Sequence, residues 1–198
     1  MTINKSPMAK NKKCIPLELS RKFKFKVDLD GKIQYFNKYF SEFTGFNIAE
    51  LILNDFSKLF EEDMPQASFD IFLKEIEQNP KSYFVYKGKT KHGNCYWGLL
   101  RSKHRISNNE LIGYDLEVKL LPMTSINTFE NLFSIVKEIE NNVGKKAGQK
   151  YLEGYLEEKN LTFKDFVLNA NEINEKKADK YFSIDTDENE KKKKKSWF

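Results

Sequence analysis

DGKIQYFNKYFSEFTG, the stretch from Asp30 to Gly45, places a hairpin turn, a strand and a helix in direct succession. Asp30-Gly31 is typical of a two-residue hairpin turn, because glycine readily adopts the positive φ angles that such turns need. The strand Lys32–Phe36 follows at once. Asn37 is then suited to cap a helix, which Gly45 is placed to end in the left-handed conformation. The stretch therefore predicts a hairpin whose second strand leads straight into a helix.

Apolar and polar residues alternate in the strand before this turn, Phe23–Leu29, which predicts that its charged side chains face water. Three further strands are predicted downstream from period-two patterns or bounded apolar runs: Lys81–Thr90, Asn94–Ser102 and Glu110–Leu121. Two strands, several short helices and then three strands predict an α+β domain. Its five-stranded antiparallel sheet carries short helices on one face.

Two helix starts are predicted between the second and third strands. Asn47 is suited to cap one helix, with Glu50 reaching back to it. Asp63 precedes Met64-Pro65 and is suited to cap the other, since proline is tolerated in the first helical turn. Asn79-Pro80 is expected to end that second helix.

The charge of the chain is unevenly distributed. Residues 1–26 hold eight Lys or Arg against Glu18 alone, a charge of +7, whereas the whole chain carries +5, so the remainder sums to −2. A near-neutral domain with a basic arm does not offer the basic face that binding in a nucleic-acid groove needs, so nucleic acid is not the expected partner.

No apolar run approaches the roughly 18 residues of a membrane helix. The expected setting is cytoplasmic, with Cys14 and Cys95 unpaired and Cys95 a buried, inert thiol.

Two motifs carry a resemblance to a known family: Asp63-Met64-Pro65, and Gly93-Asn94-Cys95-Tyr96-Trp97 in a predicted strand. From Arg21 to Pro122 the chain resembles a PAS sensor domain of the aerotaxis-receptor type. Such domains bind flavin adenine dinucleotide between their helices and the inner face of the sheet, and sense redox state. The resemblance implies a pocket in this space. Its candidate cofactor-binding residues are Trp97, Asn37, Phe60, Asp63, Phe69 and Tyr86.

The chain departs from this family at Phe60, Glu61 and Glu62, where the family has Arg, His and Pro. Two carboxylates would repel an anionic dinucleotide, which argues against flavin adenine dinucleotide. Three alternatives remain for the pocket: it binds flavin, it binds another small ligand, or it binds no cofactor. Trp97 has two interpretations: an indole that stacks on a flat ligand, or an ordinary core residue. Asn37 and Asp63 are each a helix cap or a ligand contact. No metal site is predicted.

The resemblance divides the chain into four parts: a basic arm (residues 1–20), the PAS domain (21–122), a helical extension (123–184) and a disordered charged tail (185–198). Apolar residues recur at helical spacing in the extension, for example Phe129, Phe133 and Val136. Isolated helices cannot bury such stripes. They are expected to pack on the outer face of the sheet, on each other or on a second copy of the chain.

No nucleophile with a paired base and no phosphate-binding loop is evident, so the chain is not expected to be an enzyme. The favoured function is a cytoplasmic sensory module without its own output domain. It would act as a homodimer in a chemotaxis-like or other signalling pathway, relaying ligand or redox state through its C-terminal helices to a signalling partner. The alternative is a cofactor-free adaptor or scaffold for protein–protein interaction.

Overall fold

The computed structural model describes residues 14–184, and the predicted disordered tail lies outside them. One five-stranded antiparallel sheet forms the centre, in the order β2-β1-β5-β4-β3. Its strands are β1 (Phe23–Val27), β2 (Ile33–Phe36), β3 (Lys81–Lys89), β4 (Cys95–Ser107) and β5 (Glu110–Leu120). Each predicted strand is found, within a few residues at its ends, and the predicted α+β fold with a five-stranded antiparallel sheet is confirmed. The predicted two-residue hairpin turn at Asp30-Gly31 is wrong: Gly31 has a positive φ of 79° but Asp30 does not, and Asp28 N donates to Lys32 O across a longer loop.

Seven α-helices accompany the sheet in the described residues. Three lie between β2 and β3, together with a 3-10 turn at Phe56–Leu59, and four follow β5. They are α1 (Lys38–Thr44), α2 (Ile48–Leu51), α3 (Gln66–Gln78), α4 (Met123–Val143), α5 (Lys145–Glu158), α6 (Phe163–Ala170) and α7 (Glu175–Ser183). None of these helices combines the length and apolar character that a bilayer-spanning segment requires.

Helix boundaries follow local sequence signals in part. Gly45 ends α1 with a φ of 78°, as predicted, and Asn47 with Glu50 forms the predicted capping box of α2. Asn37, in contrast, does not cap α1 with its side chain. Its amide instead accepts a hydrogen bond from Lys24 N (3.1 Å) and donates one to Lys22 O (3.0 Å), which ties the start of α1 to β1.

The predicted cap of α3 is also wrong. Asp63 makes an ion pair with Lys87, and no side-chain cap comes from the residues just before the helix. The carboxylate of Glu140 in α4 takes that place, accepting hydrogen bonds from Gln66 N (3.1 Å) and Ala67 N (2.6 Å). A long-range contact therefore satisfies amides that a local cap would otherwise serve.

The extension after β5 packs on the outer face of the sheet, the first of the three places expected for it. Phe133 of α4 stacks on Trp97 of β4, with ring centroids 6.5 Å apart, and Phe182 of α7 lies 6.4 Å from Tyr83 of β3. Helix α5 packs against α3 and α4, and α6 against the edge strand β3. Of the charged residues that alternation in Phe23–Leu29 predicts to face water, Lys26 is exposed, but elsewhere on this face Lys22, Arg101 and Lys119 are buried.

The two cysteines are joined, which corrects the prediction of unpaired thiols. Cys14 and Cys95 form a disulfide across 81 positions of the sequence. The bond holds the segment before β1 against the start of β4, where Ile15 N also donates a hydrogen bond to Cys95 O at 2.7 Å. Sequence spacing gave no sign of this pair, since the two segments meet only through the fold of the sheet.

Candidate functional site

The space between α1–α3 and the inner sheet face is filled by aromatic rings. Three of the candidate site residues meet there. The Phe60 ring centroid lies 4.9 Å from that of Phe69 and 5.2 Å from that of Tyr86. Phe84 stacks on Phe72 at 4.8 Å and also lies beside Phe60 and Phe69. Phe60, Phe69 and Tyr86 are thus core residues that contact one another.

Two tyrosines complete this filling from the sheet. The hydroxyls of Tyr86 and Tyr96 lie 3.3 Å apart, and both side chains are fully buried. Burial raises the pKa of each phenol well above the ordinary value for tyrosine, so both hydroxyl groups stay protonated. Gly88 makes room for the Tyr96 ring, which a Cβ there would overlap at 2.2 Å. A Cβ at Gly98 would overlap Val118 at 2.5 Å and come within 3.2 Å of the Tyr86 ring.

The interior does not fit a flavin. In the described interior, a cavity beside Val27, Phe56, Phe72 and Tyr114 holds about 10 Å³. A pocket for a drug-sized ligand needs roughly 300 Å³ or more. Flavin adenine dinucleotide would therefore require several packed aromatic side chains to move, and in the described residues nothing on the inner face is arranged to receive it.

Trp97 does not line the interior. Antiparallel pairing sets Tyr86 opposite Gly98, and Trp97 opposite Lys87, so Tyr86 and Trp97 point to opposite faces of the sheet. The indole lies on the outer face under α4. The sequence run Cys95–Leu100 is apolar on both faces because both are covered, so alternation could not indicate which side faced the predicted pocket.

A larger cleft of about 870 Å³ opens on the outer side, between the segment that holds Cys14, the end of β5 and the start of α4. Its apolar surface comes from Trp97, Leu120, Leu121 and Ile126. Four acidic residues also line the cleft and are called its acidic wall: Glu61, Glu62, Asp63 and Glu130. Asp63 and Trp97, two of the candidate site residues, are thus brought together here, away from Phe60, Phe69 and Tyr86.

One lysine stands within this acidic wall. Lys87 Nζ lies 2.5 Å from Asp63 Oδ2 and 3.8 Å from Glu130 Oε1, and 5.8 Å from the centre of the Trp97 ring. Its charge is already compensated by these carboxylates. Among the lining residues that the structure describes, four are acidic and one is basic, so this part of the cleft favours cations over anions.

A cluster of charged residues on the outer face holds the C-terminal end of α7. Lys22 Nζ donates to Phe182 O (2.9 Å), while Lys119 Nζ donates to Tyr181 O (2.9 Å) and Ile184 O (2.8 Å). The last carbonyls of a helix have no partners within it and carry partial negative charge. Buried lysines are well suited to satisfy them. These contacts, with the ion pairs below, are called the α7 latch.

Arg101 adds the second half of the α7 latch. Its guanidinium donates to Glu117 and to Asp179 Oδ1 (3.0 Å) and lies 4.5 Å from the centre of the Phe182 ring. Burial alone would raise the pKa of Glu117, but hydrogen bonds from Lys22 and Arg101 outweigh it and hold that pKa below 4.5. Sequence analysis missed the latch, because Arg101, Glu117 and Lys119 occupy positions that read as solvent-facing.

Within residues 14–184, no group of three or more His, Cys, Asp or Glu side chains is placed to hold a metal ion. The described residues therefore offer two features for function: a filled interior, and an outer face that carries the cleft and the α7 latch.

A protein-family model described as PAS fold matches residues 17–114. Among solved structures, a light-oxygen-voltage domain studied with a flavin analogue is 16% identical, covers 57% of this chain and 86% of its own, and has a TM-score of 0.49. The light state of the blue-light photoreceptor Aureochrome1 LOV is 15% identical, with 59% and 91% covered and a TM-score of 0.47. A PAS domain of a protein from Colwellia psychrerythraea is 16% identical, with 50% and 85% covered and a TM-score of 0.45.

No curated protein matches the chain. The family model, the order of strands and helices, and the antiparallel sheet agree with one another. Residues 17–114 therefore have the PAS fold.

Proposed function

We propose that this chain is a PAS signalling module that works by protein–protein interaction, with a filled interior in place of a cofactor and with helices α4–α7 as the element that meets its partner. The observation that carries the proposal is the interior cavity of about 10 Å³, where a ligand-sensing domain needs a pocket. The module is cofactor-free, and its signal arises at its surface.

The α7 latch supplies the element that can change. In the latched state α7 lies on the sheet, and in the released state it has left the sheet. A partner that binds the released α7, or the sheet face beneath it, favours the released state to the extent that it binds this state more tightly than the latched one. Lys22, Arg101 and Lys119 have charged or carbonyl partners on α7 or beside it, so release exposes cations that a partner with acidic groups would recognise. A homodimer and a cytoplasmic setting belong to this proposal; in that reducing setting the Cys14–Cys95 disulfide would form only transiently.

Visible absorption and native mass spectrometry of the full chain test the closed interior. We expect a colourless protein whose mass equals that of the polypeptide, before and after addition of flavin adenine dinucleotide. A yellow protein that carries one flavin per chain would refute the cofactor-free module and would restore the flavin-based form of the aerotaxis-receptor resemblance.

Hydrogen exchange tests the role of α7. In Lys119→Met, which removes the donor to Tyr181 O and Ile184 O, the amides of α7 should lose clearly more protection than those of β4 and β5, whose protection falls only with the global stability. Lys26→Met, an exposed lysine on the same face, is the control. If protection fell equally throughout the sheet, α7 would be an inseparable part of the core, and the proposed release would be wrong.

The disulfide favours a second candidate function, a redox relay. Two thiols, Cys14 and Cys95, would lose two protons and two electrons to form the bond, while a low-molecular-weight disulfide is reduced to two thiols. Cys95 lies two residues before Trp97, which stacks on Phe133 of α4. Thiol state would then reach the C-terminal helices through this contact.

Hydrogen exchange in the oxidised and reduced full chain tests the relay. Reduction should speed exchange in α4 around Phe133 in the wild type and have no effect in Cys14→Ser, which lacks the bond in both conditions. Equal exchange in the oxidised and reduced wild type would leave the disulfide a passive tether and eliminate the relay.

A further inference from the structure

The outer cleft combines two features that select one class of ligand. Its apolar surface includes Trp97 and Ile126, and its wall is acidic, with Glu62, Asp63 and Glu130 exposed at the rim. An aromatic group fits the apolar surface, and positive charges complement the carboxylates. A peptide that carries both lysines and aromatic side chains would therefore match the cleft, whereas an anionic ligand would not.

The end of α7 lies beside this cleft. Lys119 Nζ donates to Ile184 O (2.8 Å), and Tyr181 Oη donates to Leu120 O (2.7 Å). Leu120 and Leu121 in turn form part of the apolar surface of the cleft. The chain thus leaves the described region at Ile184, next to the strand end that forms the cleft.

The sequence beyond Ile184 contains a segment of the required chemistry, Lys191–Phe198, which reads KKKKKSWF. We propose that the acidic cleft binds this segment of its own chain. The six residues Asp185–Glu190 lie between Ile184 and the first lysine, and six extended residues span up to about 20 Å. The site is thus a peptide-binding site for a cationic, aromatic sequence, occupied from within the chain.

Covalent attachment favours this occupant over a free peptide. A short linker gives its segment an effective concentration of roughly millimolar at the cleft, so modest affinity is sufficient for occupancy. A partner with a basic, aromatic segment would have to compete with the chain's own segment. Because the rim carboxylates are exposed, salt screens the attraction, with a Debye length of about 10 Å at 0.1 M.

Fluorine NMR of the full chain tests the proposal directly. The chain has two tryptophans, Trp97 and Trp197, so incorporation of 5-fluorotryptophan gives two resonances, and Trp197→Phe assigns them. We expect the chemical shift of Trp197 in the wild type to differ from that of the synthetic peptide KKKKKSWF, made with 5-fluorotryptophan, in buffer. The double change Glu62→Lys and Glu130→Lys, or 1 M salt, should move it to the free-peptide position.

The control is Glu157→Lys with Glu158→Lys, which makes the same change in net charge at exposed positions of α5 that do not line the cleft. This variant should leave the Trp197 resonance unchanged. A wild-type Trp197 resonance at the free-peptide position would overturn the proposal. A displaced resonance that moved with protein concentration would also overturn it, since the cleft would then hold the segment of a second copy.

Titration in trans measures the chemistry of the site. In a full chain whose segment is neutralised by Lys→Ser at positions 191–195, with Trp197→Ser and Phe198→Ser, the peptide KKKKKSWF should bind and EEEEESWF should not. Adding Glu62→Lys and Glu130→Lys should weaken binding of the basic peptide at least about tenfold at low salt. Equal affinity with and without these two changes would overturn the assignment of the cleft.

Discussion

The inner and outer faces of the sheet are both buried, but by different interactions. On the inner face, the ring of Phe25 packs on that of Phe56 and the ring of Phe60 on that of Phe84, and a cavity beside Phe56 holds only about 10 Å³. On the outer face, Arg101 and Lys119 bind carboxylates and helix carbonyls. Apolar packing is non-directional, whereas each contact of the latch needs a specific partner. The inner face is therefore suited to stability, and the outer face to reversible attachment.

The largest expected effect comes from the inner face. Phe84→Ala removes a fully buried ring that contacts Phe60, Phe69, Phe72 and Tyr86. We expect the free energy of unfolding to fall by about 3–5 kcal/mol, because the change loses burial and leaves a cavity. Chemical denaturation measures it.

Ile48→Ala is the control for Phe84→Ala, since Ile48 is 68% exposed and its loss should change the free energy of unfolding by less than about 0.5 kcal/mol. A loss below about 1 kcal/mol for Phe84→Ala would mean that the interior readily rearranges. The contrast between a rigid inner face and a reversible outer face would then fail.

A smaller effect is expected on the outer face. Lys119→Met removes the donor to Tyr181 O and Ile184 O and should lower the free energy of unfolding by about 1–3 kcal/mol, the usual cost of unsatisfied buried polar groups. Lys26→Met is again the matched control. An unchanged melting curve for Lys119→Met would show that the latch contributes no stability.

The contact between α4 and α3 should contribute less to the free energy of unfolding than the α7 latch does. Glu140→Gln keeps the size of the side chain but removes the negative charge at Gln66 N and Ala67 N, and should cost about 1 kcal/mol. Glu138→Gln, exposed on the same helix, is the control. If both variants unfolded at the same denaturant concentration, the charge of Glu140 would not matter at the start of α3.

The smallest effect is a pH dependence of the latch. The pKa of Glu117 is held below 4.5 in the folded chain, so its contribution to stability is complete above about pH 4.5 and is lost as pH falls through the lowered pKa. Hydrogen bonding from Lys81 lowers the pKa of Asp179 in the same sense. Exchange of α7 amides should therefore accelerate below pH 4.5.

Glu117→Gln separates this effect from other acid titrations, among them that of Glu75, whose pKa is raised by burial and which acts in the opposite sense. The difference in α7 exchange between wild type and Glu117→Gln should shrink as pH falls below 4.5. A difference that stayed constant down to pH 3.5 would assign the acid sensitivity to other groups.

The sequence alone determined the sheet and the order of its elements. The alternation in Phe23–Leu29, the position of the turn at Asp30-Gly31 and the glycine at position 45 are signals that act within a few residues, so they are readable in the sequence. The two-residue type predicted for that turn was wrong, because only Gly31 of the pair has a positive φ. The strand segments and the fold class followed from them. Phe60, Phe69 and Tyr86 were named as cofactor-binding residues through the resemblance to PAS domains; they lie in the interior, and their binding of a cofactor stays a prediction.

Only the tertiary structure decided how the two faces are used. The register of β3 and β4 placed Trp97 outside, and the meeting of distant segments paired Cys14 with Cys95 and brought Glu140 to the start of α3. Lys119 reads as a solvent-facing residue in sequence and becomes buried because α7 covers it. Each of these contacts joins residues far apart in the chain, and the geometry that joins them exists only once the sheet and the helices have packed.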